Sequence, residues 1–170
     1  LVEVYRAALA VREPSQIIVS GASGGGNLAA ALLVRAKEAG LPMPAGLVLL
    51  TPELDLTESG DTFVTNNGID MVLTSLMPVN LLYANGEDLA HPHISPLFAD
   101  LTGFPPTFLQ SGTRDLFLSN TVRMHRALLG YGVEAELHVF EAMPHGSFGG
   151  TAPEDDELRA EVRRFEAVQL

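Results

Sequence analysis

The chain has 170 residues, 46% of them hydrophobic, enough for one domain with a packed core over residues 1–170. Its 10 Lys and Arg stand against 21 Asp and Glu, a formal charge of -11 that argues against an electrostatic nucleic-acid binder and against docking on anionic membranes. The absence of cysteine excludes disulfides, thiolate nucleophiles and Cys-ligated metals, and no apolar run approaches the roughly 20 residues of a membrane span, so a soluble, cytoplasmic location is the default expectation.

The chain opens on Leu1 rather than Met, inside a helix-like pattern, as expected of a piece of a longer protein. Leu1 to Ala10 reads as a helix end with Val2, Tyr5 and Leu9 on one side, stopped by Glu13-Pro14-Ser15. Gln16 to Ser20 is a short β-branched apolar strand, of the kind buried in a parallel sheet. A glycine-rich turn, Gly21 to Gly26, leads to an Ala/Leu-rich helix from Asn27 to Ala39 that ends at Gly40 and Pro42. Gly46 to Leu50 is a second strand, Pro105 to Gly112 carries a third and Glu134 to Phe140 is a fourth. Helices are expected at Thr74 to Ala84, at Leu118 to Leu129 and from Glu154 to the C terminus, the last with an acidic first turn. The segments Thr51 to Leu73 and Asn85 to Pro106 read as long connections. Strands alternating with helices predict an α/β fold with a mostly parallel sheet and flanking helices. Ligands to such sheets sit at the carboxyl ends of the strands, so the loops there carry the candidate chemistry.

Gly21-Ala22-Ser23-Gly24-Gly25 fits G-x-S-x-G between a strand and a helix, the setting in which a serine is held on a strained turn with its hydroxyl exposed above the sheet. Small flanking residues spare the turn a collision of Cβ atoms with strand and helix. The backbone N–H of Gly24, at a helix N terminus, is placed to donate to an oxyanion. A phosphate loop is the competing reading, but the Lys-Ser/Thr of a P-loop and the G-x-G-x-x-G spacing are both missing. Asp115 follows the third strand and His145 the fourth, so acid and base come from strand-end loops in the order Ser, Asp, His. Taken singly, Asp115 also reads as a helix N-cap and His145 as a surface histidine in Met143-Pro144-His145-Gly146. His91 and His93 have a two-residue spacing that suggests a metal, but no carboxylate cluster completes it. His125 and His138 read as structural or exposed, and Met71 and Met77 as pocket lining or core filler.

These residues resemble the hormone-sensitive-lipase-like group of α/β-hydrolases, which includes many bacterial carboxylesterases and related lactone hydrolases. Gly21 to Ala29 is similar to that group's G-D-S-A-G-G-N-L-A, and His93-Ile94-Ser95-Pro96-Leu97 with Leu101 to Pro106 resembles its segment before the acid strand. Gly112-Thr113-Arg114-Asp115 is similar to its acid loop and Pro144-His145-Gly146 to its histidine loop. Ala22 departs from the pattern, replacing an acidic residue. The group's upstream H-G-G-G oxyanion loop and its cap are absent, so the chain resembles the C-terminal catalytic part of such an enzyme, lacking the N-terminal strands and cap.

The resemblance implies a serine carboxylic-ester hydrolase acting through an acyl-enzyme, with Ser23 as nucleophile, His145 as base, Asp115 as acid, Gly24 as the oxyanion donor present, and no metal or organic cofactor. Leu54, Phe63, Ile69, Met71 and Leu73 suggest short-to-medium acyl esters or lactones as substrates. Two alternatives are a same-fold hydrolase of other acyl groups and a catalytically silent fragment that serves as a folding or assembly module. In the group's strand order the missing strands flank Gln16 to Ser20, so the chain is expected to form a homo-oligomer or to pair with the missing N-terminal segment.

Overall fold

The computed structural model describes residues 1–170. Four strands, β1 (Ile18–Ala22), β2 (Gly46–Leu50), β3 (Thr107–Gly112) and β4 (Ala135–Phe140), form one parallel sheet in the order β1-β2-β3-β4. Every residue of β3 and the first four of β2 are buried, as expected of strands covered on both faces, although β3 also carries the polar Gln110. The carboxyl ends are in register, Ala22 beside Leu50, Leu50 beside Gln110 and Gly112 beside Phe140, so the loops that follow the strands emerge side by side.

The helices are α1 (Val2–Leu9), α2 (Gly24–Glu38), α3 (Thr62–Thr65), α4 (Met77–Ala84), α5 (Leu118–Gly130) and α6 (Pro153–Gln169). On one face of the sheet Ala30, Leu33 and Val34 of α2 and Met124 and Leu128 of α5 close over Leu47, Leu49 and Leu109. On the other face Leu158 and Phe165 of α6 pack on Val48 and Phe108. Consecutive strand residues thus supply both cores, which is why these strands read as continuous apolar runs rather than alternations.

Three boundaries differ from the sequence expectation. Pro14–Gln16 is a turn of 3-10 helix, so β1 begins at Ile18, where proline no longer fixes the backbone, and runs on to Ala22. Helix α2 starts at Gly24 rather than Asn27, reducing the expected glycine-rich turn to Ser23 alone. Helix α4 starts at Met77 rather than Thr74, with Pro78 in its first turn where a missing N–H costs nothing. The connection from Thr51 to Leu73 also contains the short α3, which the polar composition hid.

Strand β1 lies at the edge of the sheet. The Ile17 carbonyl accepts from Ala45 N–H and Ser23 N–H donates to the Leu50 carbonyl, so the intervening Ile18, Ser20 and Ala22 present their backbone groups to the unpaired side. No helix is long and apolar enough to cross a membrane.

Candidate active site

Ser23 joins β1 directly to α2 in a left-handed conformation, φ 56° and ψ -127°, which costs a non-glycine residue on the order of 1–3 kcal/mol. Backbone bonds hold it there. Its N–H donates to the Leu50 carbonyl at 2.9 Å, and its own carbonyl accepts from Gly26 at 2.9 Å and Glu53 at 3.2 Å. The requirement for small neighbours holds at the first glycine of G-x-S-x-G and at Gly26 just beyond it, but not at the glycines that follow the serine directly. A Cβ on Gly21 would overlap the Gly25 carbonyl, and one on Gly26 would lie 2.7 Å from Pro52 Cβ, whereas Gly24 and Gly25 have open space. Gly24 N–H, at the start of α2, has no backbone partner and is free for an acceptor placed above Ser23.

Asp115 lies in the loop after β3 and is fully buried. Its Oδ2 accepts from Ser111 Oγ at 2.6 Å, and its Oδ1 accepts from Phe117 N–H at 3.0 Å. It is not the N-cap of α5; Phe117 holds that position. Two residues that the sequence did not mark fix this loop. Asn66 Nδ2 donates to the Asp115 and Thr113 carbonyls at 2.9 and 3.2 Å, and Asp70 Oδ2 accepts from Leu116 N–H at 2.8 Å. Both come from the long connection after β2, whose Asn and Asp content was their only trace in the sequence.

His145 comes from the loop after β4 and is 6% exposed, so it is not a surface histidine. Its Nδ1 lies 3.0 Å from Asp115 Oδ1 and its Nε2 lies 2.8 Å from Ser23 Oγ. The Phe117 ring meets the imidazole edge-on at 4.9 Å, closing one side of it. The loop bends sharply, with positive φ at Ala142, Gly146 and Ser147. Thr113 Oγ1 accepts from Ala142 N–H at 2.7 Å at its start, and Asp155 of α6 accepts from Phe148 and Ala152 N–H, both at 3.0 Å, at its end. Burial alone would raise the Asp155 carboxyl, but donors from Ala152, Phe148, Ser147 and Gly150 outweigh it and hold the group below the usual carboxylate range.

The structure therefore brings Ser23, His145 and Asp115 into one hydrogen-bonded line beside the free N–H of Gly24. With Nδ1–H donated to the carboxylate, Nε2 is left to accept the serine proton, the arrangement that activates a hydroxyl for attack.

A cavity of about 230 Å³ opens beside Gly24, with Leu28, Leu56, Val79 and Tyr83 in its wall. The five apolar residues whose character suggested short-to-medium acyl substrates do not line it. Leu54 is core, Phe63 packs with Leu116 and Phe117, and Ile69 and Met71 are exposed by 50% and 89%. Runs of apolar letters in a loop do not reveal which way each side chain turns. Glu53 also contributes to this cavity and was missed, its only signal being a lone acid in the strand-end run Thr51-Pro52-Glu53-Leu54. It is buried, and that burial pushes its carboxyl up; the Asn80 amide opposes the shift and Glu58 adds to it. A second cavity, of about 360 Å³, lies between the strand ends and α6, lined in part by Ala22, Leu50, Ser147 and Arg159.

The remaining histidines stand apart from this line. His93 Nε2 lies 2.6 Å from Glu38 Oε2, with the His91 ring edge-on to it at 4.9 Å, and no set of three or more His, Cys, Asp or Glu that would hold a metal is present. His138 stacks on Phe108 and His125 is half-buried on α5.

Comparison with known proteins follows the same lines. A family model described as alpha/beta hydrolase fold matches residues 2–149. An esterase of Acinetobacter venetianus is 32% identical over 169 residues, an alignment covering 96% of this chain and 56% of that protein. An acetyl-hydrolase of Streptomyces hygroscopicus is 31% identical over 134 residues, covering 78% and 45%. Among solved structures, esterase E25 superimposes with a TM-score of 0.92 at 43% identity over 96% of this chain and 52% of its own. A hormone-sensitive lipase from a metagenome library gives 0.95 at 34% identity over 99% and 60%. The chain spans about half the length of the curated relatives it matches.

Proposed function

The chain belongs to the alpha/beta hydrolase fold family and is hormone-sensitive-lipase-like within it, and we propose that it is the part of a serine carboxylic-ester hydrolase that carries nucleophile, base and acid. The observation that carries this reading is His145 standing between its two partners, Nε2 at 2.8 Å from Ser23 Oγ and Nδ1 at 3.0 Å from Asp115 Oδ1. Relatives named esterase and acetyl-hydrolase support the same chemistry.

In the proposed reaction His145 Nε2 takes the proton of Ser23 as Oγ bonds to the ester carbonyl carbon. The negative oxygen rests on Gly24 N–H at the positive end of α2. The bond from carbon to the alcohol oxygen then breaks, and the alcohol leaves with the proton from His145. Water, deprotonated by the same nitrogen, attacks the acyl-serine; the bond from carbon to Ser23 Oγ then breaks, the serine takes its proton back from His145, and the acid is released. Asp115 orients the imidazole throughout and stabilises its cation. The steps call for no metal or organic cofactor.

A cavity of about 230 Å³, below the roughly 300–1,000 Å³ of sites for drug-sized ligands, favours short-to-medium acyl esters or lactones. Peptides and other acyl donors are separated from these by a substrate panel. A second reading, a silent module that only folds or assembles, is favoured by the open edge of β1.

One experiment decides between hydrolase and silent module: hydrolysis of p-nitrophenyl butyrate by this chain and by Ser23→Ala in parallel. Turnover by the wild type, abolished in the variant, is expected. Equal inertness of two folded proteins overturns the hydrolase reading for this chain and leaves the silent module.

A further inference from the structure

Glu53 has no place in the reaction just described, yet it is an acid buried beside the nucleophile. The residue is 7% exposed, and its Oε1 is shielded from solvent with no hydrogen-bond partner. The Asn80 amide, which donates to the Leu56 carbonyl at 3.2 Å and lines the same cavity, lies close enough to pull the carboxyl's pKa down. An unpaired buried carboxyl oxygen is rare in a native fold because the lost hydration is not returned. The residue is tied to the nucleophile, its N–H donating to the Ser23 carbonyl at 3.2 Å. It contributes to the cavity that begins at Gly24, whose remaining wall is largely apolar through Leu28, Leu56, Val79 and Tyr83.

The chemistry assigns this cavity to one side of the ester. The leaving alcohol takes its proton from His145 and so departs on the histidine side. The acyl chain lies away from it, on the side of the oxyanion donor Gly24, which lines the cavity together with Glu53. Only Oε1 is enclosed, so the second oxygen of the carboxyl is the one that a group in the cavity can reach.

We propose that Glu53 is a specificity-determining residue that accepts a hydrogen bond from a hydroxyl on the acyl chain, making short hydroxyacyl esters the preferred substrate class. The assignment rests on the hydrolase reading for its meaning, but recognition of the hydroxyl is testable without turnover. A saturated acyl chain fills the same apolar wall and strips water from the carboxyl without replacing it, whereas a hydroxyl on the acyl chain donates to the reachable oxygen. Sites built this way discriminate against an analogue that lacks the polar group far more strongly than apolar pockets discriminate by size.

The test pairs 3-hydroxybutyramide with butyramide, unreactive mimics of the acyl part, in ligand-observed NMR titrations of the full 170-residue chain. Glu53→Gln and Glu53→Leu are titrated alongside. The wild type is expected to bind the hydroxylated amide about 10- to 100-fold more tightly. The preference should shrink in Glu53→Gln and vanish in Glu53→Leu. Equal binding of the two amides, no detectable binding of the hydroxylated one, or a preference that survives in Glu53→Leu overturns the proposal. If the leucine variant does not fold, the glutamine variant decides, an undiminished preference again counting against it.

Turnover of p-nitrophenyl 3-hydroxybutyrate against p-nitrophenyl butyrate supplies the second reading. A preference among amides with both esters turned over no faster than by Ser23→Ala leaves the recognition standing and removes the hydrolase. Turnover of both esters at equal rates removes the recognition and leaves the hydrolase.

Discussion

At the scale of single residues the site depends on groups that cannot be exchanged for near neighbours. On the proposed mechanism Asp115→Asn keeps the size of the side chain but removes the charge that would fix the His145 tautomer, and turnover of p-nitrophenyl butyrate should fall on the order of 10⁴-fold with little change in KM. Gly21→Ala places a Cβ against the Gly25 carbonyl, a backbone group that cannot move without shifting the start of α2. It should cost about 3 kcal/mol, read as a lowered midpoint in urea, whereas Gly25→Ala, with open space around it, should be near neutral. Glu53 gives stability a pH dependence of known sign. Its carboxyl is raised by burial, so its contribution is fully present below the ordinary glutamate pKa and is lost as pH rises through the raised folded value. Urea midpoints measured upward from pH 4 should decline more steeply in the wild type than in Glu53→Gln.

At the scale of elements, the site is held by the ends of secondary structures rather than by the triad itself. Asp155 caps α6 and at the same time holds the histidine loop through Phe148 and Ala152 N–H. Its carboxyl is depressed, so the stability it lends is present above the ordinary aspartate pKa and is lost as pH falls through the lower folded value. Asp155→Ala should cost about 1 kcal/mol as a lost cap and also loosen the loop. Faster amide exchange at Phe148 and a drop in kcat at unchanged KM are the expected signs, and an unaltered exchange rate would show that the loop is held without it. The connection after β2 supports the acid loop in the same way, through Asn66 and Asp70. Neither residue was legible beforehand, because an Asn or Asp in a polar loop reads alike whether it faces water or a carbonyl 47 residues away.

At the scale of the whole molecule the sheet ends openly at β1, where Ile18, Ser20 and Ala22 leave their backbone groups unpaired. Edges of this kind template pairing with another strand. The chain by itself is expected to self-associate with rising concentration in sedimentation velocity, and Ser20→Lys, which adds charge at this exposed edge position, should shift it toward the monomer. A concentration-independent monomer in the wild type would mean that the edge is blunted by other means. The charge of -11 works against association, so added salt should strengthen it.

The sequence by itself determined the strand and helix alternation, the parallel sheet and the short string around Ser23, because buried strands, glycine breaks and helix periodicity are local patterns that tertiary packing does not overturn. It also placed Ser23, Asp115 and His145 at strand ends, since order along the chain fixes which loop a residue occupies. Only the tertiary structure decided where α2 begins, because the overlap a Cβ on Gly21 would make with Gly25 arises between strand and helix. It alone decided the 2.8 and 3.0 Å spacings around His145 and which apolar residues face the cavity. It alone exposed Glu53, because an unpaired buried oxygen is defined by what surrounds it, and nothing in a row of letters records the absence of a partner.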